Sequence, residues 1–265
     1  MNMRIYVAMY KPNNFVLKIK NPIYIPIQCG RAINGNFNNS PDFLPELGDN
    51  TGDNISNKNP YYSELTALYW IWKNDDSQPD DIVGLNHYRR YFAEPSITGE
   101  DSNILLGGRT IKKMLKDNNY IVNGCGVERN EFEASVTQYY SAYNNYRGSH
   151  VVEDLDNALK CIRKLFPDLY DEINFQVKNI GAMCLNNMMI ARKKDLDAYC
   201  SFIFSVFRML EYYIDFDGDD HQGYQERVFG FLNERLFRPW IKASGRTAVQ
   251  GPALDFEKYS GYVWE

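Results

Sequence analysis

The residues best suited to chemistry lie in the stretch GLNHYRRYF, residues 84–92, which follows the segment DDIV. One of the three histidines of the chain, His87, stands here beside two adjacent arginines, Arg89 and Arg90. Planar guanidinium groups bind phosphate oxygens in a fork geometry that lysine cannot reproduce. The stretch therefore predicts an anion site at the end of a buried strand. A basic surface turn and an aromatic cluster that closes the core are the two alternatives.

A second chemically capable group is the acidic stretch DFDGDDHQGYQE, residues 215–226. Asp219, Asp220 and His221 precede a predicted helix, where a side chain can point into a cleft and deprotonate a hydroxyl group. We predict that Asp219 or Asp220 is such a general base. A solvated acidic turn that caps the helix is the alternative.

The same stretch comes close to the calcium-binding loop D-x-D-x-D-G-x5-E. The residues at its ligand positions are Asp215, Asp217, Asp219 and Glu226. The sixth position of the loop needs a glycine for a sharp turn, and this chain has Asp220 there. The sequence therefore disfavours a calcium site.

A long polar segment, residues 29–59, leads into the first predicted helix. Within it, Asp53 and Asn54 carry carboxylate and amide groups that can bind a base, a ribose or the backbone of their own loop. The next residues, PYYSELTALYWIWKN, predict one continuous helix over residues 60–74 with an apolar stripe. Glu64 lies off that stripe, where the loop and the helix meet.

Composition is that of an ordinary globular protein of 265 residues, with 44% hydrophobic and 24% charged residues. The net charge of −5 argues against nucleic acid as a partner, because such binding depends on neutralising phosphates. Five cysteines without a CxxC pair favour a reducing cytoplasm over a disulfide framework or a cysteine zinc site. Neither a signal peptide nor an apolar run of ~20 residues is found. We expect a cytoplasmic protein, and contact with the inner face of the membrane stays open.

Segments typical of strands and helices alternate along the chain. The predicted strands are residues 4–10, 82–85, 120–123 and 187–191, and the predicted helices are residues 60–74, 111–115, 155–166 and 196–214, with a last one from about 224. This alternation predicts an α/β fold with a mainly parallel central sheet flanked by helices and with a more helical C-terminal half.

Four segments together resemble a known family. They are RIYVAMYKP with IPIQCG; TGDNISNKNPYYSELTALYWIWKN; DIVGLNHYRRYF; and NMMIARKKDLDAYC followed by GYQERVFGFLNERL. The family is the bacterial polysaccharide-biosynthesis domain of capsule and O-antigen clusters, formerly of unknown function and later assigned as galactofuranosyltransferases. The resemblance spans residues 4–236. One departure is SVTQYYSAYNNY, where Tyr140, Tyr143 and Asn144 stand in a segment that often carries a histidine in the family.

The resemblance implies a GT-A-like nucleotide-sugar-binding fold in a single glycosyltransferase domain over residues 1–265. Its nucleotide-binding part would be about 1–125, and its helical acceptor part about 126–265. It also implies inverting transfer of galactofuranose from UDP-galactofuranose to a growing or lipid-linked cell-surface polysaccharide. On this hypothesis the donor-binding residues are Lys11, Asp53, Asn54, Glu64, Arg89 and Arg90, and the catalytic residues are His87 with Asp219 or Asp220.

Metal use is the open point of this hypothesis. A metal-binding D-x-D motif would directly follow a buried strand, but this chain has Asn86, His87 and Tyr88 there. We therefore expect no cofactor, with the diphosphate neutralised by Arg89, Arg90 and His87, and a divalent cation is the alternative. A non-catalytic nucleotide- or carbohydrate-binding protein of the same pathway is the alternative function, since aromatic residues, 15% of the chain, suit both.

Overall fold

The computed structural model describes residues 1–11, 19, 21–35, 47–94, 105–125 and 141–255. Its strands are β1 (Met3–Met9), β2 (Tyr24–Gln28), β3 (Leu47–Gly48), β4 (Ile82–His87), β5 (Arg90–Phe92), β6 (Tyr120–Cys125), β7 (Met183–Arg192), β8 (Ala248–Gln250) and β9 (Ala253–Asp255). Its helices are α1 (Arg31–Asn34), α2 (Asn59–Tyr62), α3 (Leu65–Asn74), α4 (Gly108–Met114), α5 (Ala142–Arg147), α6 (Val152–Leu165), α7 (Pro167–Asn179), α8 (Lys193–Leu210) and α9 (Val228–Ala243). Short 3₁₀ turns occur at Ser56–Lys58, Asp219–His221 and Gly223–Glu226.

The strands form one sheet whose main path runs β3-β2-β1-β4-β7-β6-β8. β1 pairs in parallel with β2 and β4, β2 with β3, and β6 with β8, whereas β7 is antiparallel to both β4 and β6. Six of these seven strands therefore point the same way and β7 runs opposite. Beside this path, β5 turns back from β4 and pairs with β9. The predicted α/β fold with a mainly parallel sheet flanked by helices is confirmed.

The two central strands, β1 and β4, are apolar on both faces because helices or loops cover both sides of the sheet. On one face, Val83 and Leu85 pack into a large core with α3, α6, α8 and α9. On the other face, Val7 and Ile82 pack with Ile111 of α4 in a smaller core. The middle of the sheet is thus held from both sides, which fixes the strand ends that it presents.

Parallel pairing brings the carboxyl ends of β1, β2 and β4 to one edge of the sheet. Tyr10 follows β1, Cys29 follows β2, and His87 is the last residue of β4. In open α/β sheets this is the edge at which ligands bind. The sequence motif around His87 therefore lies where the fold favours a binding site.

The helix predicted over residues 60–74 is interrupted at Ser63. This residue has a φ of 51° and a ψ of −132°, so α2 ends before it and α3 begins after it. The side chain of Asn59 holds the break, because its Nδ2 donates to the Ser63 carbonyl at 2.7 Å and to Thr66 Oγ1 at 3.1 Å. The prediction of a continuous helix is wrong here, and the break puts Glu64 at the start of α3.

None of the helices in the described part of the chain combines the length and the apolar character needed to cross a bilayer. Four cysteines, Cys29, Cys161, Cys184 and Cys200, are buried free thiols. The side chain of Cys125 lies outside the described part.

Candidate active site

Two adjoining cavities open at the carboxyl edge of β1 and β4. The larger has a volume of about 300 Å³ and the smaller of about 170 Å³. Five residues line both cavities: Ser63, Glu64, His87, Arg89 and Arg227. The two cavities therefore form one cleft, and its junction is rich in charged side chains.

His87 lies at this junction and lines both cavities. It pairs with Arg90 across the tight turn between β4 and β5, and its Nδ1 is buried without a hydrogen-bond partner. Burial, together with the positive charges of Arg90, Arg89 and Arg227, lowers the pKa of His87 from 6.5 to about 3. The imidazole is therefore neutral near pH 7. The positive charge of the cleft comes from its arginines, so the residues predicted as an anion site do lie together.

Arg227 is a site residue that the sequence analysis missed. It is the N-cap residue of α9, and its guanidinium carbon lies 5.5 Å from the centre of the Tyr224 ring. A cation at a helix N-terminus is unfavourable, because the helix dipole is positive there. That local conflict is the one signal in the sequence that could have marked Arg227 as functional.

Glu64 is the carboxylate at the junction of the two cavities. Its Oε1 accepts a hydrogen bond of 2.6 Å from Nδ2 of Asn187, which also donates to the Gly230 carbonyl at 3.2 Å. Burial raises the pKa of Glu64, while the bond from Asn187 and the charges of Arg227 and Arg90 oppose that rise. The structure thus brings Glu64 together with His87, Arg89 and Arg90.

Two further carboxylates lie in the cleft, each in one cavity only. Glu226 lines the larger cavity and Glu234 the smaller one. Both oxygens of Glu234 are engaged, since Oε1 accepts from the backbone N–H of Asn186 and Oε2 from Nη1 of Arg235 at 2.7 Å. Burial raises the pKa of Glu234.

The other predicted donor-binding residues lie outside the lining of both cavities. Lys11 is exposed just beyond β1, and its ammonium group lies 5.5 Å from the ring centre of Tyr10. Asp53 accepts a bond of 3.0 Å from the Tyr69 hydroxyl, and the Asn54 side chain bonds the backbone of its own loop. The two loop residues therefore hold the loop in shape.

Asp219 and Asp220 are exposed and do not line either cavity. Their neighbour His221 is buried, with Nε2 2.9 Å from Oδ2 of Asp154. That pair anchors the 3₁₀ turn to α6. The geometry gives no support to the general-base prediction for these aspartates. Within the described residues, no group of three or more histidine, cysteine or acidic side chains is arranged to hold a metal ion.

Aromatic rings form one wall of the smaller cavity. Tyr224, whose side chain is 63% exposed, lies beside Phe231 with ring centres 5.0 Å apart. His150 stacks on Phe231 at 4.0 Å and is held by Gln225 at 3.0 Å. An accessible flat ring next to carboxylates and amides is a combination that suits a sugar.

A comparison with known protein families assigns the chain to one of them. A family model described as a domain of unknown function, DUF4422, matches residues 4–245. The chain belongs to the DUF4422 family. A search of curated proteins finds no match.

This DUF4422 chain is also similar to a solved structure, the apo form of the bifunctional glycosyltransferase WbbM. The TM-score is 0.76 and the sequence identity 26%, over 96% of this chain. The DUF4422 chain spans 45% of the length of that WbbM chain. Similarity to a glycosyltransferase over nearly the whole chain is consistent with the GT-A-like fold that the sequence predicts.

The low pKa of His87 makes a prediction about stability and pH. As the pH falls below 6.5, the unfolded chain takes up a proton at this histidine and the folded chain does not, until about pH 3. His87 therefore lowers the free energy of unfolding over that window. Between pH 7 and pH 5, we expect wild type to lose up to about 2 kcal/mol more stability than the His87→Gln variant.

Urea unfolding of both proteins at the two pH values measures this difference. If the free energy of unfolding falls with urea concentration at the same slope in both proteins, the variant unfolds from the same fold. A loss of stability that is the same in both proteins would contradict a neutral, desolvated His87.

Proposed function

We propose that the protein is an inverting glycosyltransferase that moves a sugar from a UDP-sugar onto a growing or lipid-linked cell-surface polysaccharide. The observation that carries this proposal is a cleft lined by arginines and carboxylates, at the ligand-binding edge of a fold similar to WbbM. Galactofuranose is the donor sugar that the family resemblance of the sequence favours.

The larger cavity suits the donor. Arg89 and Arg227 face both cavities, and Arg90 adds a third guanidinium in the smaller one. The β-phosphate of the donor gains negative charge as its bond to the sugar breaks, and fixed cations stabilise that charge best in a cleft with little water. His87 adds a hydrogen-bonding nitrogen, and the imidazole stays neutral at pH values near 7. Lys11, at the outer end of β1, extends the same positive edge toward the nucleotide.

The smaller cavity suits the acceptor glycan. Sugar recognition combines apolar stacking on one ring face with hydrogen bonds to the hydroxyl groups. Tyr224 and Phe231 provide the rings for stacking, and Asn186 and Glu234 provide polar groups for hydrogen bonds to the hydroxyl groups. An acceptor held there would present a hydroxyl group to the junction, where Glu64 and the arginines lie.

Release of UDP from a panel of UDP-sugars, with and without a polysaccharide fragment as acceptor, tests the function. We expect release that depends on the acceptor and that persists in EDTA, because the arginines take the place of a metal ion. Loss of turnover in EDTA that a divalent cation restores would contradict the metal-free mechanism. A protein that is stabilised by UDP against heat but releases none from any donor would instead be a binding protein.

Arg89→Lys tests whether the guanidinium fork acts on the leaving group. Lysine keeps the charge but cannot form two parallel bonds to phosphate. We expect an unchanged melting temperature and a loss in turnover of about 100-fold, equivalent to about 3 kcal/mol of transition-state stabilisation. The matched control is Arg147→Lys, at an exposed position at the end of α5. Near-full activity of Arg89→Lys would remove the support for this role.

Tyr224→Ala tests the acceptor wall. Loss of a stacking contact of about 1.4 kcal/mol predicts a KM for the acceptor raised about tenfold, with the donor KM unchanged. Tyr212→Ala is the control, because that ring is 87% exposed and lines neither cavity. Steady-state kinetics with each substrate varied in turn separates the two constants. A rise in donor KM alone would assign Tyr224 to the donor side.

A further inference from the structure

Inverting transfer needs a proton acceptor at the place where the acceptor hydroxyl meets the donor sugar. The base must contact the acceptor hydroxyl while that oxygen attacks the sugar carbon of the donor. Three carboxylates line the cleft, and Glu64 is the one that lines both cavities, whereas Glu226 and Glu234 each line one. Position alone therefore selects Glu64 among the described cleft residues.

A buried chain of hydrogen bonds orients Glu64. The Tyr199 hydroxyl donates to Asn233 Oδ1 at 2.6 Å, Asn233 Nδ2 donates to Asn187 Oδ1 at 2.8 Å, and Asn187 Nδ2 donates to Glu64 Oε1 at 2.6 Å. Tyr199 and Asn233 are fully buried, and Asn187 is 2% exposed. Every donor in the chain points toward the cleft, so the chain must end on an acceptor. A carboxylate oxygen meets that demand.

Backbone strain is concentrated at the same contact. Among the described residues other than glycine, those with positive φ are Ser63 at 51°, Asn186 at 62° and Asn187 at 52°. Ser63 precedes Glu64, Asn187 carries the side chain that bonds Glu64, and Asn186 precedes Asn187. Such conformations are unfavourable for most residues other than glycine and persist where the surroundings impose them, often at functional sites. Here they lie at, or directly beside, the two residues that form the contact between Asn187 and Glu64.

We propose that Glu64 is the general base of the reaction and that Asn187, Asn233 and Tyr199 are its positioning residues. This assignment rests on the proposed function. The acceptor hydroxyl oxygen forms a bond to the anomeric carbon of the donor sugar. The bond from that carbon to the β-phosphate oxygen breaks, and its electron pair leaves with UDP. The hydroxyl proton goes to Oε2 of Glu64.

The electrostatics of the cleft agree with this role. Burial raises the pKa of Glu64, which makes its carboxylate a stronger base than one in water. The bond from Asn187 and the charges of Arg227 and Arg90 oppose the rise. Asp219 and Asp220 are exposed and have no comparable surroundings.

The decisive variant is Glu64→Gln, which keeps an oxygen to accept the bond from Asn187 but cannot take a proton. We expect a loss in kcat of about 100-fold or more, with the binding constant for UDP and the melting temperature retained. Glu172→Gln, on the exposed face of α7, is the matched control. If Glu64→Gln keeps wild-type kcat, or if the double variant Asp219→Asn, Asp220→Asn loses kcat in its place, Glu64 is not the base. If wild type itself releases no UDP from any donor, the proposed function fails first, and this assignment fails with it.

The positioning chain is tested through the pH profile of kcat/KM. Asn187→Gly removes the donor to Glu64 and tolerates the positive φ, so the pKa of Glu64 rises and the acid limb moves to higher pH. Tyr199→Phe removes only the outermost hydroxyl group and should move the limb in the same direction by less. Asn187→Asp, which restores an acceptor but no donor, should not rescue the profile. Lower stability with an unmoved acid limb in Asn187→Gly and Tyr199→Phe would show a purely structural role for the chain and overturn this part.

Discussion

The electrostatic balance among the arginines and carboxylates of the cleft is the constraint on which the site depends. The charges of Arg90 and Arg227 act on both His87 and Glu64. Burial and these charges together keep the imidazole neutral, and the same charges oppose the rise that burial produces in the pKa of Glu64. Glu64, Glu226 and Glu234 bring carboxylates to the cleft beside Arg89, Arg90 and Arg227. On the proposed function, the diphosphate of the donor would bind beside the arginines and the acceptor hydroxyl beside Glu64.

The fold supplies the rigidity that this balance requires. Guanidinium groups repel one another, and a flexible scaffold would let them separate into water. β1 and β4 resist this because both faces of each strand are packed, and a packed interior does not deform continuously. Hydrogen bonds hold the positive φ angles at Ser63 and Asn187, from Asn59 to the Ser63 carbonyl and from Asn233 to the Asn187 side chain. The packed middle of the sheet thus fixes the positions of the residues at its carboxyl edge.

The part of the site that the sequence could predict is the part formed by neighbours in the chain. GLNHYRRYF places an imidazole and two guanidinium groups within four residues, so the end of β4 was predictable from strand pattern and residue type. Arg227 and Asn187 come from distant segments, and nothing local says that they meet Glu64. The break at Ser63 was missed because Pro60 and the apolar stripe that begins at Leu65 each fit a helix. A local bond from the Asn59 side chain to the Ser63 carbonyl holds the break between them. The general base was predicted in an acidic turn because the turn precedes a helix, and that position along the chain does not say which cavity the turn reaches.

The two cavities also suggest how binding of the donor would raise the basicity of Glu64. On the proposed function, a bound diphosphate brings negative charge close to the arginines that now favour the ionised form of Glu64. That charge offsets their field, and Coulomb's law then requires the pKa of Glu64 to rise when the donor binds. The carboxylate would become a stronger base only in the complex that needs it, while the bond from Asn187 keeps its oxygen in place. Donor binding and proton transfer would be coupled in this way through charge alone, without a conformational change. The coupling follows because Glu64 lies between two cavities that are both lined by Arg89 and Arg227.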